Sequence, residues 1–311
     1  MPKRMDSISI SESAIGVKVS VIMLAYNRGH LILESIKSVL EQSFSDYELL
    51  IIDDGSTDNT KDIIENISDS RISYFYTSHT GKMSYLRNFG TANSKGEYIA
   101  FIDSDDLWQK DKLKNQVKIL NNHLDIGMTF SDVEIFDKNG VFKKGIYNSL
   151  SKKKIFYKGS VFHLLISNQM SIYISSVMFR RNCLKKVSLF DEDLMSGDTN
   201  FLIRLSSIFD IYIVFDYWTS IRKHDGNFSL DLHEASFQQM MKTLTFFYDS
   251  KRINKKLFNE SLLKFRYALA IGFWKENNFE RSRKELLASW RMNPFFLKPV
   301  IRYVWSYLKF K

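Results

Sequence analysis

Between Val19 and Ile102, four short apolar runs alternate with three stretches whose apolar residues recur at helical spacing. That alternation constrains the fold more than any other feature. A strand–helix order with short links closes as an α/β domain, a mostly parallel sheet with helices on both faces. The strands are expected over 19–25, 47–52, 72–76 and 98–102. The helices are expected over 31–42, 57–67 (with Thr57 or Asp58 as N-cap) and 83–94. Ligands on such sheets bind beyond the carboxyl ends of the strands. The polar clusters at 26–28, 53–58 and 103–106 all lie there, so three separate segments can converge on one site.

Further along, the pattern predicts helices over 110–122 and 200–207 and strands over 127–136, 174–180 and 211–217, with a hairpin turn at Asn139-Gly140. Residues 141–168 are mixed and basic, including Lys152-Lys153-Lys154, and show no clear period. From Glu234 the chain reads as helical, broken near Asn277 and Asn293-Pro294. The expected layout is a polar extension at 1–18, an α/β domain at 19–230 with halves at 19–108 and 109–230, and a helical basic region at 231–311.

The 311 residues suffice for one large domain or a domain with an appendage. One cysteine, Cys183, excludes an internal disulfide and a cysteine-rich zinc site, and it fits a reducing compartment. The polar start has no signal-peptide core, and no uninterrupted apolar run is long enough to span a bilayer. The net charge of +9 is uneven: residues 251–311 hold 15 Lys+Arg against 4 Asp+Glu, and the rest of the chain balances to −2. A partner of that tail should be anionic, such as a lipid surface or charged glycolipid. No RNA- or DNA-binding motif accompanies the charge, so nucleic acid is not the expected partner.

The run ending at Ile102 leads straight into Asp103, Asp105 and Asp106. Packing these anions together costs energy unless a cation neutralises them. Carboxylates at a strand end suit a hard divalent ion carrying a phosphate ligand, which points to a metal-bound nucleoside diphosphate. A calcium loop and a solvated turn compete. The first lacks an EF-hand's alternate ligands and closing glutamate. The second fits poorly between a strand and Leu107-Trp108. Asp54 can accept the imino N–H of a pyrimidine, yet residues 54–58 are also ideal turn chemistry. Tyr26 can stack on that base or simply end a strand. Asp198, before an apolar helix that includes Arg204, reads as a helix N-cap or as a general base. His224 lies in a loop, where histidines are usually solvated and a metal or phosphate role needs other support.

Taken in order, these motifs resemble family 2 glycosyltransferases, inverting enzymes of the GT-A fold. The close match covers 19–27, 38–43, 47–58, Arg87-Asn-Phe-Gly90 and 95–108, and a looser one runs through 189–192, 198–205 and 222–229. The resemblance implies that Ala25, Tyr26, Asp54, Arg87, Asp103 and Ser104 bind the nucleotide of a UDP-sugar donor. It implies Mg²⁺ or Mn²⁺ held by Asp105 with Asp103 and His224, Asp198 as catalytic base, and Arg204 in a structural role. It further implies a glycan or polyprenyl-linked sugar acceptor, in a cytoplasmic protein held peripherally at the inner face of the membrane. Three positions depart from the pattern: Leu24 replaces the usual Pro or Thr, Gly197 replaces the glutamate before the base, and Asn200 replaces a later aspartate.

The tail interleaves Trp290, Phe295, Phe296, Tyr303, Trp305, Tyr307 and Phe310 with Lys and Arg. This suits an interfacial helix, and equally a core or dimer helix. Two other function classes stay open. A nucleotidyltransferase would need a phosphate-cradling Gly-rich loop, and residues 26–29 are not one. A catalytically altered scaffold protein would fit the change at Gly197.

Overall fold

The computed structural model describes residues 16–151, 154–194, 196–226 and 233–308. Most of the polar extension, Lys152-Lys153, Asn227 to Ser229 and Phe310 lie outside the described residues. In chain order the first elements are β1 (Val17–Ala25), α1 (Ile32–Leu40), β2 (Tyr47–Asp53), α2 (Thr60–Glu65), β3 (Ile72–Tyr76), α3 (Met83–Ala92) and β4 (Gly96–Asp103). There follow β5 (Leu107–Trp108), α4 (Lys112–Asn122), β6 (Ile126–Asp137), β7 (Gly140–Lys144), α5 (Asn148–Ser151), β8 (Phe156–Gly159) and α6 (Phe162–Ile166). Last come β9 (Val177–Arg180), α7 (Asp198–Ser206), β10 (Asp210–Arg222), α8 (His233–Asp249), α9 (Lys255–Lys275), α10 (Phe279–Met292) and α11 (Lys298–Leu308).

The sheet runs β3-β2-β1-β4-β9-β6-β10-β5, with β7 on β6 and β8 on β10. Strands β1 to β4 pair in parallel, as the alternating pattern requires, and β6 pairs in parallel with β10. The short strand β9 joins these two halves by running antiparallel to both β4 and β6. Ala25 pairs with Asp53 and Leu24 with Asp103, so the carboxyl ends of the three strands that carry polar clusters stand level.

Side-chain alternation sorts the two faces. Val19, Val21 and Met23 of β1 share a buried cluster with Ile32, Ile36 and Val39 of α1 and Leu113, Val117 and Leu120 of α4. Each such side chain contributes about 1.5–3 kcal/mol by leaving water. On the other face Ile22 meets α3, where a Cβ at Gly90 would stand 2.7 Å from Ile22 Cγ2. Glycine is what lets that helix lie so close. On the same face Phe101 meets Phe190 edge-on at 5.4 Å, and Phe190 stacks on Phe201 of α7 at 4.4 Å. Helices therefore cover both faces.

Two local differences from the sequence pattern have clear causes. Residues 174–176 form a 3₁₀ turn, and only Val177–Arg180 is strand. There the hydroxyl and carbonyl of Ser175 bond to Asp106 and Trp108, while the Ser176 hydroxyl donates to Tyr173 O. Asn59, rather than Thr57 or Asp58, occupies the N-cap position of α2, and its side chain makes no cap bond. Asp58 still serves the helix start, accepting Thr60 N–H at 2.9 Å.

The chain divides into two compact units. The first comprises the chain up to Val161 and Ile172–Asp225. The second comprises Phe162–Ser171 and Gly226–Lys311, so it takes in α6 and begins a few residues before 231. Within it Phe162 of α6 packs on Phe247 of α8 at 5.1 Å. Asn254 and Asn278 cap α9 and α10 through their side chains. The Ser282 hydroxyl of α10 donates to Ala270 O of α9 at 2.8 Å. No helix among the described residues is long and apolar enough to cross a membrane.

Candidate functional site

The loops after β1 and β2 fasten to each other. Asn27 takes the left-handed conformation (φ 50°), and its Oδ1 accepts Thr57 N–H at 2.8 Å. Asn27 N–H donates to Ser56 Oγ, Arg28 N–H to Thr60 Oγ1 and Gly29 N–H to Asp58 Oδ2. Asp54 N–H donates to Ala25 O at 2.9 Å. Turn chemistry thus builds a rigid frame around Tyr26 and Asp54.

Within that frame Asp53 points inward, accepting Ser56 N–H and the Tyr74 hydroxyl, both at 2.8 Å. The Asp54 carboxylate is buried and faces the loop before α3. It accepts Thr80 N–H and Thr80 Oγ1–H at 2.8 Å and Gly81 N–H at 2.9 Å. His79 Nδ1 lies 2.9 Å from its Oδ2, and the imidazole stacks on the ring of Tyr26.

The acidic cluster divides by depth. Asp106 is buried and structural: Ser175 Oγ–H and Arg222 N–H donate to its two oxygens at 2.6 and 3.0 Å. Burial, with Asp103 and Asp105 nearby, pushes its pKa well up. Asp105 turns outward, with Oδ2 3.0 Å from His224 Nε2 and 3.9 Å from Arg28 Nε. Its carbonyl accepts Arg222 Nε–H at 2.9 Å. Ser104, between Asp103 and Asp105, is buried. Arg87 is buried on α3 and reaches Asp103 Oδ1 at 3.8 Å while donating to Ser196 O at 2.6 Å. One guanidinium therefore ties the acidic strand end to the turn that carries Asp198.

Crowding by protein atoms pushes Asp103 up to about 6, with the Asp105 and Asp198 carboxylates adding to it and Arg87 and Arg28 opposing it. Because 47% of its side chain still meets solvent, water tempers the burial contribution and the like charges are the more durable cause. A raised acid stabilises the fold fully below its unfolded value, near 3.8, and that contribution is lost as pH rises through 6. Asp103→Asn is therefore expected to raise the melting temperature at pH 7 and to leave it unchanged near pH 3.5. Melting curves at both pH values check this; no gain at pH 7 would contradict it.

Asp198 opens α7 one residue inside the helix, with Gly197 in the cap position. Its Oδ1 accepts Ser196 Oγ–H at 2.6 Å and Thr199 N–H at 2.8 Å. The anion also suits the positive end of the helix dipole. Arg204 is structural: it donates to Ser188 O, Leu189 O and Asn200 Oδ1, so Asn200 supplies a neutral acceptor for its Nε. Gly197 has a backbone reason. Its φ is 63°, and a Cβ there would stand 2.4 Å from Ser84 Oγ. Gly197→Glu should thus destabilise the protein by about 1–3 kcal/mol instead of restoring a motif. Chemical denaturation checks this, and an unchanged midpoint would contradict it.

These placements give two linked groups at one end of the sheet. Ala25, Tyr26 and Asp54 form one. Arg87, Asp103, Ser104, Asp105, Asp198 and His224 form the other. Arg28 spans them, its Nη1 on Tyr26 O and its Nε toward Asp105. Arg28 and Arg222 carried no assigned role in the sequence, although a cation was required beside such carboxylates; nothing there marked His79. The carboxylate of Asp105 and the imidazole of His224 form a donor pair that fits Mg²⁺ or Mn²⁺. Among the described residues no group of three or more His, Cys, Asp or Glu is arranged as a metal cage. A cavity of about 770 Å³ lies elsewhere in the same unit, lined by Glu34, Trp108, Glu134 and Phe136 among others. It includes none of these residues, and charge and geometry are the better guides to the chemistry.

A sheet of this topology with acidic strand ends defines the GT-A class of nucleotide-sugar transferase folds. The sequence profile of glycosyl transferase family 2 matches residues 20–187, more than half of the chain, and the protein belongs to that family. A Rickettsia felis glycosyltransferase is 35% identical over 182 residues, 58% of this chain but 29% of its own length, so the chain spans under a third of that relative. The Escherichia coli UDP-Glc:alpha-D-GlcNAc-diphosphoundecaprenol beta-1,3-glucosyltransferase WfgD is 36% identical over 140 residues, covering 43% of this chain and 55% of that protein. Among solved structures, S. aureus TarS 1–349 in complex with UDP-GlcNAc aligns with TM-score 0.66 at 19% identity, over 88% of this chain and 81% of that one. That likeness concerns the fold.

Proposed function

We propose that this family 2 glycosyltransferase is an inverting, metal-dependent enzyme. It moves a sugar from a UDP-linked donor to a hydroxyl of a glycan or polyprenyl-linked acceptor in bacterial surface-polysaccharide synthesis. The observation that carries the reading is the gathering of Asp103, Asp105 and Asp198 with Arg28, Arg87 and His224 at the carboxyl ends of a parallel sheet. Tyr26 and Asp54 form the base subsite beside it. WfgD and the TarS complex support UDP-linked donors, and WfgD's name supports a lipid-linked acceptor.

In this reading Asp198 takes the acceptor hydroxyl's proton as that oxygen attacks the anomeric carbon from the face opposite the diphosphate. Asp105 and His224, with Asp103 beside them, would hold a divalent ion, which would supply positive charge against the diphosphate. Arg28 and Arg87 add fixed positive charge on the same side. One displacement inverts the anomeric configuration, and no covalent enzyme intermediate is needed. Incubation with UDP-sugars and polyprenyl-diphosphate acceptors, with the product's anomeric configuration read by NMR, tests the reading. Inversion supports it, and retention contradicts it.

The helical unit supplies a candidate membrane contact. Phe295, Leu297 and Ile301 are 92%, 60% and 56% exposed, on the segment with the excess of Lys and Arg. Exposed apolar side chains flanked by bases suit an anionic headgroup layer. Removing residues 294–311 should abolish cosedimentation with phosphatidylglycerol vesicles at low salt. Equal binding by the shortened protein contradicts a membrane role for this segment.

A further inference from the structure

We propose that the His79 side chain is a resident stand-in for the donor's nucleobase: it fills the base subsite at rest and is displaced when nucleotide binds. This rests on the reading of Tyr26 and Asp54 as that subsite. The imidazole lies over the Tyr26 ring with centroids 4.0 Å apart and planes 16° apart. That is a stacked aromatic pair, with no room for a base between its members. The same ring places Nδ1 2.9 Å from Asp54 Oδ2. A pyrimidine in this subsite would use the same two surfaces, stacking on the Tyr26 face and donating one N–H to the Asp54 carboxylate. The imidazole covers both: it lies on the Tyr26 face and sets Nδ1 beside the carboxylate while bonding to the Asp54 carbonyl at 3.0 Å.

Occlusion of Asp54 turns this likeness into an exchange. A carboxylate offers about four lone-pair positions. Asp54 spends three on Thr80 N–H, Thr80 Oγ1–H and Gly81 N–H, and His79 Nδ1, bonded to Asp54 O at 3.0 Å, stands 2.9 Å from Oδ2 and covers the side of the carboxylate that remains. An incoming imino N–H needs the imidazole moved aside. The backbone here is held: Gly55, at φ 78°, is packed so tightly under the loop that a Cβ would stand 2.5 Å from His79 N. The imidazole is not held in the same way, for 48% of its side chain is exposed and rotation about its own bonds carries it away. While seated, it shields the Asp54 carboxylate from water. A ring seated about nine-tenths of the time lowers the apparent affinity of a base-containing ligand about tenfold, and leaves a ligand without a base unaffected.

Calorimetric titration of the full chain with UDP and with inorganic pyrophosphate, each with Mn²⁺, tests this on wild type, His79→Ala, His79→Phe and Tyr26→Ala. The proposal expects His79→Ala to bind UDP about tenfold tighter and pyrophosphate unchanged. His79→Phe keeps a ring over Tyr26 without the Asp54 bond, and its gain should be smaller. Equal or weaker UDP binding by His79→Ala, while Tyr26→Ala loses UDP affinity, overturns the stand-in and leaves the base subsite intact. Parallel tightening of pyrophosphate in His79→Ala also overturns it. Unchanged UDP binding by Tyr26→Ala removes the base subsite itself, and the stand-in with it.

Discussion

Asp198→Asn should lower turnover by about 10²–10⁴-fold while UDP affinity stays within a factor of about two, because general-base catalysis contributes on that scale and the substitution removes little else. Asparagine has the same shape, and its Oδ1 can still accept Ser196 Oγ–H and Thr199 N–H. Both of those bonds fall on Oδ1, which leaves Oδ2 for the acceptor hydroxyl. The helix start survives because Gly197, not residue 198, is in the cap position. UDP release under saturating donor, paired with UDP titration, separates the two effects. Unchanged turnover would remove Asp198 from the base role, and lost UDP affinity would make it a donor-site residue.

Asp105→Ala should abolish the dependence of UDP affinity on Mn²⁺ and cut turnover by about 10²–10³-fold, since electrostatic stabilisation by a bound metal is worth several kcal/mol. The fold should survive, because the bond from Arg222 to the backbone carbonyl of Asp105 is kept. Removing the carboxylate strips His224 and Arg28 of a shared partner without touching buried Asp106. UDP titrations with and without Mn²⁺ on both proteins check this. A metal response that persists in the variant would move the donor set elsewhere.

Most of the first half of the fold was legible because local and tertiary requirements coincide there. Apolar runs of strand length alternate with helical spacing, and no other arrangement buries both patterns. The candidate site was legible as residue types at strand ends: Asp54, Asp103 and Asp105 stand where open α/β sheets bind ligands. Orientation was not legible. Sequence cannot tell that Asp106 turns inward to Ser175 while Asp105 turns outward to His224, because both follow one strand within three residues of its end. Long-range partners were hidden too. The bond from Arg87 to Ser196 O spans more than a hundred positions, and the pairing of His79 with Tyr26 depends on a loop without any pattern. Gly197 shows the converse. Read alone it suggests a damaged motif, whereas its left-handed backbone and contact with Ser84 make it the residue the turn needs.

The most direct test of the central claim is calorimetric titration of the wild-type protein with UDP, GDP and dTDP, each with and without Mn²⁺. The account predicts Mn²⁺-dependent binding that favours UDP. Absence of nucleotide binding under every condition would contradict a donor site at these strand ends.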